Sequence, residues 1–382
     1  MNGKHDGELS IVRELAATFS KKELTADRER HDRYPFGPFF TDVLDKAHGA
    51  GLLTIGAAGE EGGRVIGTLS VVVGEISRWD ASLAGIIVTS FLARLIINEA
   101  GSGGLVEDPH PSGEAYTGSL IAHASFENPL DTPPALVARK KDGGFRLTGD
   151  VRYVVLGGIA PRALVAAPHE NGEGFSYFLV DTGDEGVAVS GPILSMGLAA
   201  CPAVDMTLDD APARLVGKEG GGAAYFQNAS ALISIPVAAM SVGIMKGSLE
   251  EALAYARERF QGGRPIVEWS EVRMILGRMA LGTKVAELAV LSAQDELQEN
   301  APGWEKSARA AAIFSARTAA DVTTDGVQLL GGYGYMTDYG QEKRFRDARE
   351  TQALLGTLPM RELSFVDDVI GGGPRGRSSE HE

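Results

Sequence analysis

Between residues 223 and 330 the sequence runs through three long helical stretches with little between them. Residues 223–260, 268–298 and 305–330 carry apolar side chains at helical spacing. The first ends on a clear stop, Gln261-Gly262-Gly263 followed by Pro265. A further stretch, 350–370, reads as a fourth helix. Helices this long, closely joined, fold back antiparallel, so residues 222–371 are expected to form a four-helix bundle whose exposed apolar stripes support an oligomer.

The rest of the chain divides by periodicity. In the first 112 residues, Ile11, Val12, Leu15 and Phe19 share one helical face, and Phe39, Phe40, Val43, Leu44 and Ala47 repeat the pattern. A glycine-rich connection follows (Gly49, Gly51, Gly56, Gly59, Gly62, Gly63), then two helices near 67–79 and 81–99. Over 113–221 the pattern changes to short β-prone runs: AYTGSLIAHA, ALVARKK, GFRLTG, RYVVLGG, ALVAAP, FSYFLVDT and VAVSG. They suit a small β-sandwich or barrel between two helical parts, an α+β multidomain chain. Residues 372–382, polar and glycine-rich, read as a disordered tail.

Composition narrows the function. Lys+Arg total 36 against 51 Asp+Glu, a formal net charge of −15, which argues against nucleic acid or an anionic membrane as a partner. The single cysteine, Cys201, suits a reducing, cytoplasmic setting. MNGKHDGEL has no apolar signal region. The longest apolar run, 81–93, is interrupted by Arg94 and is too short to span a bilayer, so it reads as a buried helix. The histidines are scattered, with no HxxxH pair or cysteine cluster to hold a metal. There is no GxSxG elbow and no GxxxxGK[ST] loop.

One stretch stands apart: DGVQLLGGYGYMTDYGQEKRFRDARETQALLGT, residues 325–357. An apolar helix ends at Leu330, and Gly331, Gly332 and Gly334 follow. A charged run with Arg346 and Arg349 then leads to Gly356-Thr357. Glycines after a helix make an ordinary C-cap, or let backbone approach a phosphate. The whole string resembles the acyl-CoA dehydrogenase family, with its QxxGGxGY element, RDA and a following Gly-Thr. The N-terminal GLLTIGAAGEEGG and the segment SMGLAACPAVDMTLDDAPARLVGKEGGG are similar to family stretches at corresponding places.

That resemblance implies FAD between the β-domain and the bundle, with the ADP half reaching a neighbouring subunit. Arg259 in YARERFQGGRPI takes the position of a family arginine that contacts that half, although Gly262 replaces a phenylalanine; Gln328, Gly331 and Gly332 match the QxxGG element. A guanidinium donates well to phosphate, while the plain alternative for Arg259 is a helix-end cation. Around the flavin ring the resemblance thins. AHASFENP keeps only Ser125 and Asn128 as polar candidates; Tyr153-Val154-Val155 replaces a Trp-Ile-Thr/Ser strand, so Tyr153 either stacks on the ring or is ordinary core. Thr357, of the Gly-Thr pair, is carried over as a cofactor-binding position.

Dehydrogenation of an acyl-CoA needs a carboxylate for the α-proton and donors to the thioester oxygen. Leu355 occupies the family's usual glutamate position and offers only its backbone N–H; the family's alternative position is near Ile233, with Ser234 where an arginine is common. Glu127 in the altered segment is the carboxylate to test first, or is simply an exposed loop residue. The expected function is a subunit of an FAD-dependent acyl-CoA dehydrogenase, its base supplied by a partner or by another residue. Alternatives are a flavoprotein of this fold with another reaction, such as a desulfinase or oxygenase, and a non-catalytic acyl-CoA-binding or scaffold subunit. The resemblance further implies electron-transfer flavoprotein as acceptor and a homo- or hetero-oligomer with a related subunit.

Overall fold

The computed structural model describes residues 2–25, 31–56, 62–107, 116–141, 143–170 and 174–370. Among the described residues the chain opens on the helices α1 (Asn2–Glu23), α2 (Pro38–Gly49), α3 (Gly62–Ser77) and α4 (Ala81–Glu99). Pro38 opens α2, where a missing N–H costs nothing. Asp80 caps α4 by accepting the Ser82 N–H at 2.7 Å. Gly62 and Gly63, read from sequence as connection, lie in the first turn of α3. The glycine stretch before them, and the tail, fall in part or whole outside the described residues. α4 is apolar on every side because it is packed on every side.

Seven strands follow: β1 (Ala122–His123), β2 (Val137–Lys141), β3 (Gly144–Val155), β4 (Arg162–Pro168), β5 (Phe175–Asp181), β6 (Val187–Val189) and β7 (Ala203–Val216). They form one sheet of order β2-β3-β1-β4-β5-β7-β6, and a further β3–β7 pairing closes it on itself. GFRLTG and RYVVLGG are one continuous strand, and of AYTGSLIAHA only Ala122 and His123 are extended within the sheet. Residues 116–119 turn instead, held by the Thr117 carbonyl accepting the Leu120 N–H at 2.9 Å. Between Val151 and Val154 the β3–β7 register slips by a residue. The bulge leaves Tyr153 at φ 50 and frees its N–H from the ladder.

Three long helices return the chain: α5 (Gly222–Glu258), α6 (Ser270–Gln298) and α7 (Trp304–Leu330). The expected fourth helix over 350–370 is instead two, α8 (Gln341–Thr351) and α9 (Leu358–Val369). Leu355 at φ 63 and Gly356 at φ 102 break the path between them. α4 and α5 are long and apolar enough to cross a membrane, and most of each is buried within this fold. α3 and α5 cross closely at Gly243, where a Cβ would stand 2.2 Å from the Gly74 carbonyl oxygen. Any side chain there would push the first helical part off the last.

A buried ion cluster ties the distant parts together. Lys343 of α8, 4% exposed, lies 2.7 Å from Asp347, 3.1 Å from Asp32 and 3.5 Å from Asp80. Arg346 adds a second cation to Asp32 at 2.9 Å, and Asp347 accepts the Leu198 N–H at 2.7 Å. Burial would raise Asp32, yet Lys343 and Arg346 hold it below the ordinary range. Burial pushes Asp347 up to about 6 against the pull of Lys343, with Asp32 and Asp80 adding to the rise. The folded state therefore holds this proton more tightly than the unfolded chain, whose aspartates titrate near ~3.9. That contribution to stability is complete below about pH 4 and is lost as pH rises through about 6. Asp347→Asn should flatten this part of a plot of Tm against pH; an unchanged slope would exclude Asp347 as its source.

Candidate functional site

The residues singled out from sequence fall into two groups. The first surrounds a cavity of about 410 Å3 at the C-terminal ends of α5 and α7, lined by Tyr255, Arg259, Leu330, Gly331, Gly332 and Tyr333 among others. Arg259 ends α5 in an extended conformation, its guanidinium carbon 5.7 Å from the Tyr333 ring centre. Its guanidinium makes no hydrogen bond or ion pair among the described residues. Gly331 sits at φ 59 and ψ −132, and a Cβ on it, or on Gly332, would meet nothing within 4 Å. The open face of this turn is therefore bare backbone. The Gly331 N–H itself is spent, donating to the Gln328 carbonyl as the helix cap. Gln328 is exposed and does not line the cavity. Gly262, where the resemblance leads one to expect phenylalanine, lies under the Trp269 indole, which a Cβ there would approach to 2.8 Å.

An unpaired guanidinium, open backbone and the Tyr255 and Tyr333 rings beside one another form a cradle for a ligand with phosphate and a flat base. The ADP end of a dinucleotide fits that description.

The second group lies at the seam between the sheet and α8. The bulge aims Tyr153 across the seam: its N–H donates to Asp205 Oδ1 at 2.9 Å, and its hydroxyl donates to Glu350 Oε1 at 2.8 Å. Phe126 meets the Tyr153 ring edge-on at 5.2 Å. Burial, with the negative charge of Glu350, lifts the Tyr153 pKa far above its ordinary value, so the phenol stays protonated. Burial also raises Glu350, partly offset by that hydroxyl. Ser125 is buried and shares a hydrogen bond with Thr89 Oγ1 of α4 at 2.8 Å. Its carbonyl accepts the Leu355 N–H at 2.9 Å. The backbone donor expected to be free for a thioester oxygen is therefore already used, because the turn at Leu355 folds onto the Ser125 segment.

Other positions are plainer. Leu355 is 5% exposed, and Ile233 is fully buried in α5. Val155 is core, paired with His123 and Ala203. Asn128 spends its amide locally, donating to Asp131 Oδ2 and accepting the Leu130 N–H. Thr357 is exposed at the start of α9 and its side chain caps nothing. Glu127 reaches solvent, while partial burial and the charge of Asp205 hold its pKa above the ordinary range. Sequence reasoning missed Glu350 and Asp205. Glu350 stood in the RDARE run, but only that run's arginines drew attention.

The fold thus presents two features: an open cradle of Arg259, Gly331 and Gly332 on the bundle, and a polar seam of Tyr153 and Glu350 at the sheet. Residues 220–363 match the family model "Acyl-CoA dehydrogenase, C-terminal domain". Cyclohex-1-ene-1-carbonyl-CoA dehydrogenase of Syntrophus aciditrophicus is 31% identical over 304 residues, 77% of this chain and 73% of that protein. The structure of butyryl-CoA dehydrogenase from Megasphaera elsdenii superposes with a TM-score of 0.83 at 23% identity, over 95% of this chain and 98% of that one. PigA, solved with FAD and proline, gives a TM-score of 0.82 at 19% identity over 96% and 98%. The chain belongs to the acyl-CoA dehydrogenase family.

Proposed function

We propose that the chain is a subunit of an FAD-dependent acyl-CoA dehydrogenase that removes hydrogen across the α,β bond of an acyl-CoA thioester. The observation carrying this reading is the open cradle of Arg259, Gly331 and Gly332, which suits the diphosphate end of FAD. When bound, FAD supplies a two-electron acceptor for the β-hydride. At the seam Tyr153 is the group left to face the flavin ring, since Ser125 and the Leu355 amide are engaged elsewhere. The α-proton goes to a carboxylate at neither family position, because Leu355 and Ile233 are apolar and buried. That carboxylate comes from a partner subunit or from another residue of this chain.

The cradle faces outward, which suits lending it to a neighbouring chain's FAD. α6 carries exposed Met274, Leu281, Val285 and Leu288 along its length, an apolar stripe suited to subunit contact. The working arrangement is thus a cytoplasmic homo- or hetero-oligomer that passes electrons to an electron-transfer flavoprotein. A second reading, the same fold and flavin in a reaction that removes no α-proton, is favoured by the Leu355 amide being bonded to Ser125.

Two measurements test these readings. The first is the flavin spectrum and acyl-CoA turnover of the chain alone and with a glutamate-bearing homologue. Turnover only in the mixture favours a partner's base, and flavin without α-proton exchange in either sample favours the second reading. The second is Arg259→Ala, which removes a charge-assisted phosphate contact and should weaken FAD retention about tenfold to hundredfold. Unchanged flavin affinity would remove Arg259 from the site.

A further inference from the structure

Resting on the dehydrogenase reading, we propose that Glu350 is the acid–base residue of this chain's own site, taking the α-proton that Leu355 cannot take.

Glu350 stands in the last turn of α8, just ahead of the turn that carries Leu355. Its side chain is half-buried where α8 meets the sheet, its carboxylate bonded to the Tyr153 hydroxyl of β3. Of the other carboxylates near the seam, Asp205 holds the Tyr153 N–H, Asp347 holds Lys343 and the Leu198 N–H, and Glu127 is more exposed than Glu350. Among the described residues no cation pairs with Glu350. The groups facing it are Tyr153 from β3 and Cys201 from the loop before β7, a buried thiol whose pKa is pushed far up and which stays neutral. A half-buried carboxylate without a cation is a stronger base than an ordinary one, and its raised pKa agrees.

Tyr153 gives the pair its geometry. A tyrosine at φ 50 is strained by about 1–3 kcal/mol, and such strain persists where the surroundings over-determine it. Here the bulge, the Asp205 bond and the Phe126 ring all fix one orientation, which sets the hydroxyl 2.8 Å from Glu350 Oε1. Core packing alone needs no such bend. Tyr153 is thus a positioning residue, its hydrogen bond favouring the carboxylate form of Glu350 and fixing its direction.

The step balances simply. The Cα–H bond breaks and its proton passes to a Glu350 oxygen. The electron pair left behind becomes the Cα=Cβ π bond as the hydride leaves Cβ for FAD. In the reducing direction Glu350 returns the proton to Cα.

The test is exchange of acyl-CoA α-hydrogens in heavy water, followed by mass spectrometry on the FAD-loaded assembly of this chain alone, across short, medium and cyclic acyl-CoAs. Glu350→Gln should slow exchange about 10²–10⁴-fold while flavin content and oligomeric state hold. Tyr153→Phe removes the hydrogen bond that lowers the Glu350 pKa, so the acid limb of the pH profile should move to higher pH. A merely structural tyrosine would leave that limb in place. Exchange at the wild-type rate in Glu350→Gln, or an unmoved limb in Tyr153→Phe, overturns the assignment while leaving the dehydrogenase reading intact. If the unsubstituted chain retains FAD only beside a second subunit, whose assembly then exchanges, Glu350 is overturned in favour of the partner's base. Full flavin with no exchange from any substrate in any assembly sinks the dehydrogenase reading itself.

Discussion

Lys343→Met is expected to cost about 3–5 kcal/mol of stability, the usual result of removing one partner from a buried ionic group. Asp32, Asp80 and Asp347 would be left gathered around an apolar side chain, only Asp32 retaining a cation, Arg346. The loss should spread beyond one element, since those carboxylates come from the segment before α2, the cap of α4 and α8 itself. Adding Asp347→Asn should recover part of it by withdrawing one unmatched charge. Denaturant titration at neutral pH measures both effects. A loss below about 1 kcal/mol would mean that water or rearrangement reaches the cluster, and that the methionine is tolerated as an apolar filler.

Leu355→Glu in the Glu350→Gln background is expected to restore α-proton exchange by about 10²–10⁴-fold over Glu350→Gln alone. Position 355 already holds a side chain in the left-handed region, so glutamate adds no backbone strain that leucine does not bear. It does bury a carboxyl at a position only 5% exposed, so its pKa should rise and the acid limb should sit higher than for Glu350. Leu355→Glu in the otherwise unaltered chain is the matching control. No recovery in the double variant would show that the thioester does not lie against the Leu355 turn in this protein.

Much of the architecture was legible because it is periodic. The three long bundle helices begin and end within a few residues of where spacing places them, and the central strands announce themselves by short β-prone runs between turn residues. The break between α8 and α9 was not, because leucine at φ 63 has no sequence signature and only Gly356 beside it hints at the turn. Gly62 and Gly63 misled in the opposite sense, being helical despite poor propensity because the helix they open is buried along most of its length. In the site, a glycine pair after a helix could be read as a place of close approach. The Tyr153–Glu350 contact could not: it joins residues 197 positions apart through a bulge that shows only in the strand register. The use of the Leu355 amide by Ser125 is equally invisible, since main-chain atoms are the same at every residue.

The burial of α4 also has a consequence while the protein is being made. α4 is apolar enough to resemble a membrane segment, and its cover includes α5, which begins at Gly222, well over a hundred residues after α4 ends at Glu99. At roughly 5–20 residues per second of synthesis, that cover arrives some ten seconds after α4 leaves the ribosome. During that interval the nascent chain presents a long greasy helix with only part of its cover, α3 among it, already made. Holding chaperones and the membrane-targeting machinery then compete for the same segment, and the speed of translation through the sheet decides how long they have.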